Sequence, residues 1–133
     1  MKKLVLGFII FASIFLYGCD KEKPILLTNS KPITTSTVQD PIYVFAPHQR
    51  IFYVIIVPKG FTDSVIRVQL VKRDEKLSNW GLQLYQSETI NVDKGKKFYI
   101  GYTTLPEVGC YIIRAFEINN LEKEIARNIL WVR

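Results

Sequence analysis

From residue 42 to its end, the chain alternates apolar and polar residues in short segments separated by turn-forming residues. The apolar positions are rich in β-branched and aromatic side chains, and the breaks contain Pro, Gly, Asn and Asp. This pattern is typical of half-buried strands joined by tight turns, because the side chains of a strand point alternately to its two faces. Residues 121–128 contain good helix formers but lack helical periodicity, so we predict a hairpin there.

These segments predict an all-β domain of about seven strands over residues 42–133. The predicted strands are Ile42–Ala46, Arg50–Val57, Val65–Arg73, Gly81–Gln86 with a continuation to Val92, Lys97–Thr104, Gly109–Glu117 and Ile125–Arg133. Short strands at this spacing are typical of an antiparallel β-sandwich. Residues 51–57 are apolar throughout, which predicts that both faces of their strand are covered, and homodimerisation is one source of such cover.

The first eighteen residues have a different composition from the rest of the chain. Lys2 and Lys3 precede residues 4–17, which carry no charge. A segment of 14 residues fits the apolar part of an export signal and is shorter than the roughly 20 residues of a membrane-spanning helix. We therefore predict a cleaved signal peptide over residues 1–18.

The end of this segment, Leu16-Tyr17-Gly18-Cys19, resembles the lipobox of bacterial lipoproteins. Leu16, Gly18 and Cys19 match the motif, whereas Tyr17 departs from the Ala or Ser that is usual there. The resemblance implies cleavage before Cys19, acylation of its sulfur with palmitate-type chains, and anchoring to a membrane of the cell envelope. Asp20 resembles the signal that keeps some lipoproteins at the periplasmic face of the inner membrane. The outer membrane and the cell surface remain alternatives.

Residues 19–41 mix Lys, Thr, Ser and Pro without periodicity, and we predict that they form a flexible tether after the lipidated cysteine. About 20 flexible residues have a root-mean-square span of roughly 25 Å, which would lift the domain clear of the lipid headgroups. Leu26 and Leu27 offer an alternative, in which this part of the segment pairs with an edge of the domain.

A local motif refines the fold class. Residues 105–111, Leu-Pro-Glu-Val-Gly-Cys-Tyr, resemble the corner before strand F of immunoglobulin-like domains, where a tyrosine follows a glycine by two positions. The resemblance implies an immunoglobulin-like or fibronectin III-like sandwich in which Gly109 and Tyr111 form a structural corner and the tyrosine hydroxyl bonds to backbone upstream. The Cys…Trp…Cys frame of antibody domains is absent.

Composition argues against several kinds of chemistry. The formal charge of +6 falls to +4 once Lys2 and Lys3 are removed, and no basic run is dense enough to indicate nucleic acid. If Cys19 is acylated, Cys110 is the one remaining thiol, so no intrachain disulfide forms. His48 is the only histidine, and no nucleophile, phosphate-loop or zinc motif is present. We expect no catalytic residues, no metal and no cofactor.

Alternation also predicts a surface on which another protein binds. With Tyr111, Ile113 and Ala115 in the core, the residues between them face outward, and the same argument turns arginines of the third strand outward. Arginine beside large apolar groups is typical of protein–protein interfaces. The partner-binding candidates are Arg67, Arg73, Ile112, Arg114 and Phe116. In this scheme Ile129 and Trp131 face inward. The alternative is that the tether or a loop covers this face.

We therefore expect a non-catalytic accessory or scaffold module of the cell envelope that binds another protein. One alternative is a glycan- or peptidoglycan-binding module that stacks sugars on Phe61, Trp80 or Tyr85, since aromatic residues near loops can serve this purpose. These rings equally fit a role as plugs at the ends of the sandwich. Another alternative is a protease inhibitor that inserts loops, although no inhibitor loop motif is present.

Overall fold

The structure, a computed structural model, describes residues 23–73 and 81–133. Its elements are β1 (Ile25–Asn29), a 3-10 turn (Thr37–Gln39), β2 (Val44–Phe45), β3 (Arg50–Ile56), β4 (Val65–Arg73), β5 (Leu82–Asn91), β6 (Phe98–Thr104), β7 (Gly109–Glu117) and β8 (Asn120–Val132). A three-stranded sheet has the order β1-β3-β6 and a five-stranded sheet the order β2-β8-β7-β4-β5. The prediction of an all-β, immunoglobulin-like sandwich is confirmed. The short β2 pairs in parallel with β8, and the other pairs are antiparallel.

The core lies between the two sheets and follows the period of two expected for strands. Ile66, Val68 and Leu70 of β4 and alternate residues of the neighbouring β7 are buried in it, opposite alternate residues of β3. The fully buried positions include Ile51, Ile55, Ile66, Tyr111, Ile113, Ala115 and Leu130. Strand β4 lies beside β7 in the sheet that also contains β8, and its arginines are on the face opposite to the core.

The prediction of a flexible tether over residues 19–41 is wrong for the part that the structure describes. Residues Ile25–Asn29 form β1, which pairs with β3 in antiparallel register. Leu26 is 2 % exposed and belongs to the core cluster. The Ile-Leu-Leu run buries apolar surface in the domain, and its backbone groups form hydrogen bonds with β3. These gains stabilise a strand even though the residues around the run are polar. The described part of the domain therefore contains eight strands and includes residues before 42.

The chain after β1 covers the outer face of β3. Val54 and Ile56 point away from the main core and are nevertheless buried, because they pack with Val38 of the 3-10 turn. Ile33 packs against the same cluster. The apolar run 51–57 thus needs cover on both faces, as predicted, and the chain itself supplies it over Val54 and Ile56.

Strand β8 faces the opposite way from the prediction. Leu130 and Val132 are buried, whereas Ile129 is 50 % and Trp131 42 % exposed on the outer face. Four consecutive apolar residues end this strand, so alternation alone could not determine its parity. The pairing of Leu130 with the inward-facing Tyr111 determines it, because directly opposed residues in a sheet share a face.

Phe116 is also not the exposed side chain that alternation predicts, since it is 6 % exposed. The register between β7 and β8 shifts on both sides of this residue. The guanidinium of Arg114 lies over its ring, 5.2 Å from the centroid. The phenyl group is therefore beneath an arginine and is not available as an anchor for a partner.

The side chain of Asn128 connects the edges of the two sheets. Its amide Nδ2 donates to the carbonyl oxygen of Leu26 in β1, at 2.8 Å. Its Oδ1 accepts from the backbone N–H of Ile129 in β8, also at 2.8 Å. The amide thus occupies the place of a peptide group between two strand edges that do not pair with each other.

We predict that Asn128→Leu lowers the free energy of unfolding by about 1–2 kcal/mol, because the partly buried carbonyl oxygen of Leu26 loses its donor and the backbone N–H of Ile129 loses its acceptor. Asn128→Asp is the matched control: it keeps the acceptor for Ile129 but places a carboxylate beside the carbonyl oxygen of Leu26. We expect it to be destabilised as well, and more strongly above the pKa of the new carboxyl than below it. Urea unfolding of both variants checks this, and wild-type stability in Asn128→Leu would contradict it.

Two glycines hold the turn after β3 against the turn before β6. Gly60 and Gly95 have φ values of 84° and 86°, in the left-handed region that favours glycine. A Cβ on Gly60 would lie 2.6 Å from the carbonyl oxygen of Gly95, whereas one on Gly95 would meet no atom within 4 Å. The backbone N–H of Gly95 donates to the carbonyl of Phe61 at 2.8 Å, which closes the core over that ring.

We predict that Gly60→Ala costs about 3 kcal/mol of stability and Gly95→Ala about 1 kcal/mol, since both pay for the left-handed backbone but only the first also clashes. Chemical denaturation of the two variants measures the difference. Equal losses would mean that the close approach of the two turns contributes nothing.

Candidate interaction surface

The outer face of the five-stranded sheet carries a row of apolar side chains across four strands. Cross-strand pairing aligns Leu84 with Val71, Val71 with Ile112, and Ile112 with Ile129. Leu84 is 54 % exposed, Ile112 is half-buried, and Val71 in the middle is buried. We call Leu84, Val71, Ile112 and Ile129 the apolar row.

A second row lies beside the first. Leu82 is paired with Arg73, Cys110 with Trp131, and Trp131 with Val44 of β2. Leu82 and Val44 are each 49 % exposed. Exposed apolar side chains therefore lie toward both sides of this face, on β5 and on β8 and β2, with the buried Val71 and the half-buried Ile112 between them. So many exposed apolar groups on one face are unusual for a surface that meets only water.

Arginines occupy the next positions of the same face. Arg114 donates from Nε to Oε1 of Gln69 at 3.1 Å, and its Nη1 lies 3.7 Å from Oε1 of Glu124. Arg127 forms a two-point contact with the same carboxylate, which raises the pKa of Arg127. These contacts hold two guanidinium groups flat beside the apolar row.

Arg67 lies one row further on, opposite Phe116. Its Nε is buried and has no hydrogen-bond partner within the described residues. A buried donor without an acceptor is costly in a folded domain, so the Nε of Arg67 lowers the stability of this part of the sheet.

The structure thus places four of the five partner-binding candidates at the surface of one face: Arg67, Arg73, Ile112 and Arg114. Sequence reasoning missed the exposed apolar residues beside them. Those residues are Val44, Leu82, Leu84, Ile129 and Trp131. The exposure of Ile129 and Trp131 follows from the pairing of Leu130 with Tyr111, which the sequence alone does not give.

The aromatic residues considered for sugar stacking are not arranged for it. Phe61 is 2 % exposed and lies in the core. Tyr85 packs edge-on against Tyr111, with ring centroids 5.6 Å apart. Trp80 lies outside the described residues. Tyr102 is exposed on the other sheet, and the guanidinium of Arg50 lies over one face of its ring, 4.6 Å from the centroid.

The corner before β7 has the geometry that the resemblance implies. Tyr111 is fully buried, and its hydroxyl donates to the carbonyl oxygen of Glu107 at 2.8 Å. Gly109 has a φ of 153°, and a Cβ there would lie 3.0 Å from the side chain of Lys72. The amine of Lys72 is 2.7 Å from the Glu107 carboxylate, and this hydrogen bond raises the pKa of Lys72.

The two residues that could act as a base or a nucleophile, His48 and Cys110, lie in a turn and on strand β7. His48 lies in a turn with a φ of 65°, and its backbone N–H donates to the carbonyl of Leu105. Cys110 is half-buried on the outer face, and burial raises the pKa of its thiol although the charge of Arg73 opposes this. Among residues 23–73 and 81–133, no group of three or more His, Cys, Asp or Glu is placed to hold a metal ion.

The predicted lipidation site, Cys19, lies outside the described residues, together with Leu16, Gly18 and Asp20. Within the described part of the chain, no helix is long and apolar enough to span a bilayer.

Comparison with known proteins gives likeness of fold only. No family model matches the chain, and no curated protein matches it. Among solved structures, the CARDB domain of a Pyrococcus furiosus protein in complex with di-metal ions has a TM-score of 0.40 and 15 % identity, covering 83 % of this chain and 90 % of that one. A putative superoxide reductase from Thermotoga maritima has a TM-score of 0.44 and 8 % identity, covering 87 % and 91 %. A β-glucosidase from Listeria innocua in complex with gluconolactone has a TM-score of 0.41 and 14 % identity, and the match spans 83 % of this chain but 16 % of that enzyme.

We predict that Cys110 is alkylated more slowly than an exposed cysteine at pH 8, because burial keeps its thiol protonated. Arg73→Glu removes the charge that lowers this pKa, so alkylation should slow further at fixed pH. The rate with iodoacetamide as a function of pH measures both effects, with Cys110→Ser as the blank. A faster reaction in Arg73→Glu would contradict the electrostatic contact.

Proposed function

We propose that the protein is a non-catalytic, lipid-anchored accessory module of the cell envelope that binds another protein through the outer face of its five-stranded sheet. The anchor is the acylated sulfur of Cys19, as the Leu16-Tyr17-Gly18-Cys19 sequence indicates. The docking surface comprises the apolar row and the arginines beside it.

The apolar row is the observation that carries this proposal. Leu84 and Ile129 are about half exposed at its two ends, and Val44, Leu82 and Trp131 extend the patch on one side. Burying such groups against a partner is favourable by about 25 cal/mol for each Å² removed from water. A monomer that exposes them gains nothing in return.

The charge of this face favours one kind of partner. Arg67, Arg73, Arg114 and Arg127 border the apolar groups, and the carboxylate that contacts two of them is Glu124. A second copy of the chain would bring the same arginine-rich rows together, where like charges repel. A partner with an apolar centre and a rim of carboxylates is complementary. We therefore favour a different, acidic protein over a homodimer.

The glycan-binding alternative has less support. The rings of Phe61 and Tyr85 are packed within the domain, and the guanidinium of Arg50 lies over the exposed ring of Tyr102 and competes with a sugar for that face. The absence of catalysis remains a prediction, supported by the raised pKa of Cys110 and by a sequence with a single histidine.

Photo-cross-linking in intact cells tests the docking surface. A photoreactive residue at position 84, on the apolar row, should give a discrete adduct with one protein. The same residue at position 100 is the matched control, because Ile100 is 44 % exposed on the other sheet and should give none. Equal adducts from both positions would contradict a docking surface on the five-stranded sheet.

A charge variant tests the chemistry of the partner. Arg73→Glu should reduce the adduct at position 84 by about tenfold, since a carboxylate rim would then face a like charge. Lys94→Glu makes the same change of charge at an exposed hairpin and should leave the adduct unchanged. An adduct that survives Arg73→Glu would show that the partner does not depend on these arginines.

A further inference from the structure

The lipid anchor of the proposed function, on which this inference rests, also determines which side of the domain faces the membrane. Strand β1 begins at Ile25, six residues after Cys19. A fully extended chain of six residues spans at most about 20 Å. The anchor is therefore short, and the domain surface around its first residues is the surface nearest to the bilayer.

The chain enters the domain beside the free edge of β8. Lys23, Pro24 and Ile25 line a groove of about 400 Å³ together with residues 124–128 of β8. Strand β2 pairs with β8 only at Trp131 and Val132, so this part of β8 is an edge of the five-stranded sheet. A lipid attached at Cys19 consequently holds the β8 edge toward the membrane.

Side chains at this edge have the composition of a membrane-interface site. Ile129 is 50 %, Val44 49 % and Trp131 42 % exposed, and the guanidinium of Arg133 lies 5.9 Å from the centroid of the Trp131 ring. Lys23 and Arg127 are both exposed and line the groove beside this edge. We call Lys23, Val44, Arg127, Ile129, Trp131 and Arg133 the β8 flank.

We propose that the β8 flank lies on an anionic lipid surface, with Trp131 and Ile129 at the level of the headgroups and the basic side chains among lipid phosphates. Tryptophan is favoured at this depth because its ring is apolar and its indole N–H is polar. Basic residues near an anionic leaflet are attracted to it, and lysine and arginine lay their apolar stems along the interface while the charge stays wet.

In this orientation lipid covers Val44, Arg127, Ile129 and Trp131, so the surface left for a protein partner is the part on β5, β4 and β7. Glu124 neutralises part of the charge of Arg127 and also contacts Arg114, so Lys23 and Arg133 supply most of the attraction. Because the β8 edge faces the bilayer, β7, β4 and β5 follow in order away from it. The far end of the apolar row, at Leu84, then remains open to a protein partner.

Tryptophan quenching in reconstituted vesicles tests the orientation. The full chain with Trp80→Phe, which leaves Trp131 as its one tryptophan, is placed in vesicles of phosphatidylethanolamine and phosphatidylglycerol with a nitroxide near the headgroup. Emission from Trp131 should fall by about half. At roughly 1 M salt, where the Debye length is about 3 Å, the quenching should weaken.

A matched reporter on the opposite side of the domain controls for chance collisions. Tyr102 is 59 % exposed on β6, at the sheet edge opposite β1. In Trp80→Phe, Trp131→Phe, Tyr102→Trp protein, the new tryptophan should not be quenched. Equal quenching at positions 102 and 131, or none at 131, would overturn the orientation.

Two variants separate the contribution of the basic side chains from the contribution of the short anchor. Lys23→Glu with Arg133→Glu should abolish most of the quenching at Trp131 while the protein stays in the vesicles. A spacer of about 20 Gly and Ser residues inserted after Glu22 should also reduce it, because a longer anchor lowers the local concentration of the flank at the surface. Unchanged quenching in both variants would overturn the proposal.

Labelling with palmitate distinguishes failure of this inference from failure of the proposed function. Wild type that incorporates the label and shows no quenching retains its anchor and loses only the orientation. If the wild type incorporates no more label than the Cys19→Ala control, Cys19 is not acylated, and both the anchor and the orientation are overturned.

Discussion

The hydroxyl of Tyr111 donates to the carbonyl oxygen of Glu107, and its ring is fully buried between the two sheets. With Tyr111 held inward, Ile113 and Ala115 must follow it and Ile112 and Arg114 must face out, because a slip of one residue would exchange the faces. Tyr111 is paired with Leu130 of β8 and with Lys72 of β4, and paired residues share a face, so its orientation also fixes which residues of those strands face inward. The composition of the outer face therefore depends on one buried tyrosine.

The N-terminal segment contributes to the domain more than its polar composition indicates. Strand β1 extends the three-stranded sheet, and the following residues cover Val54 and Ile56. The chain then crosses to the other sheet, where β2 pairs with the end of β8. Asn128 joins the two edges between these crossings. This N-terminal segment thus closes one side of the sandwich.

Much of the fold was predictable from sequence, because turn residues and alternation delimit the strands over Val65–Arg73 and Gly109–Glu117. Alternation could not predict which side chains face the core where every residue of a segment is apolar. The residues Ile129 to Val132 are all apolar, so either parity buries two of them, and only pairing with Tyr111 decides. It also failed at Phe116, where the register shifts. Leu26 and Leu27 form too short a run to be distinguished from a linker without their partner strand. On the candidate surface, the arginines were predicted from β4 and β7, whereas the exposed residues of β5 and β8 depend on three-dimensional pairing.

The antiparallel pairing of β1 with β3 has a mechanical consequence. If Cys19 carries the proposed lipid, traction on it would act along the axis of β1, so all five residue pairs of that ladder would resist together in shear. A strand loaded in this way detaches far less readily than one peeled from its end, bond by bond. Tension between the bilayer and a bound partner would therefore be carried through the three-stranded sheet into the body of the domain.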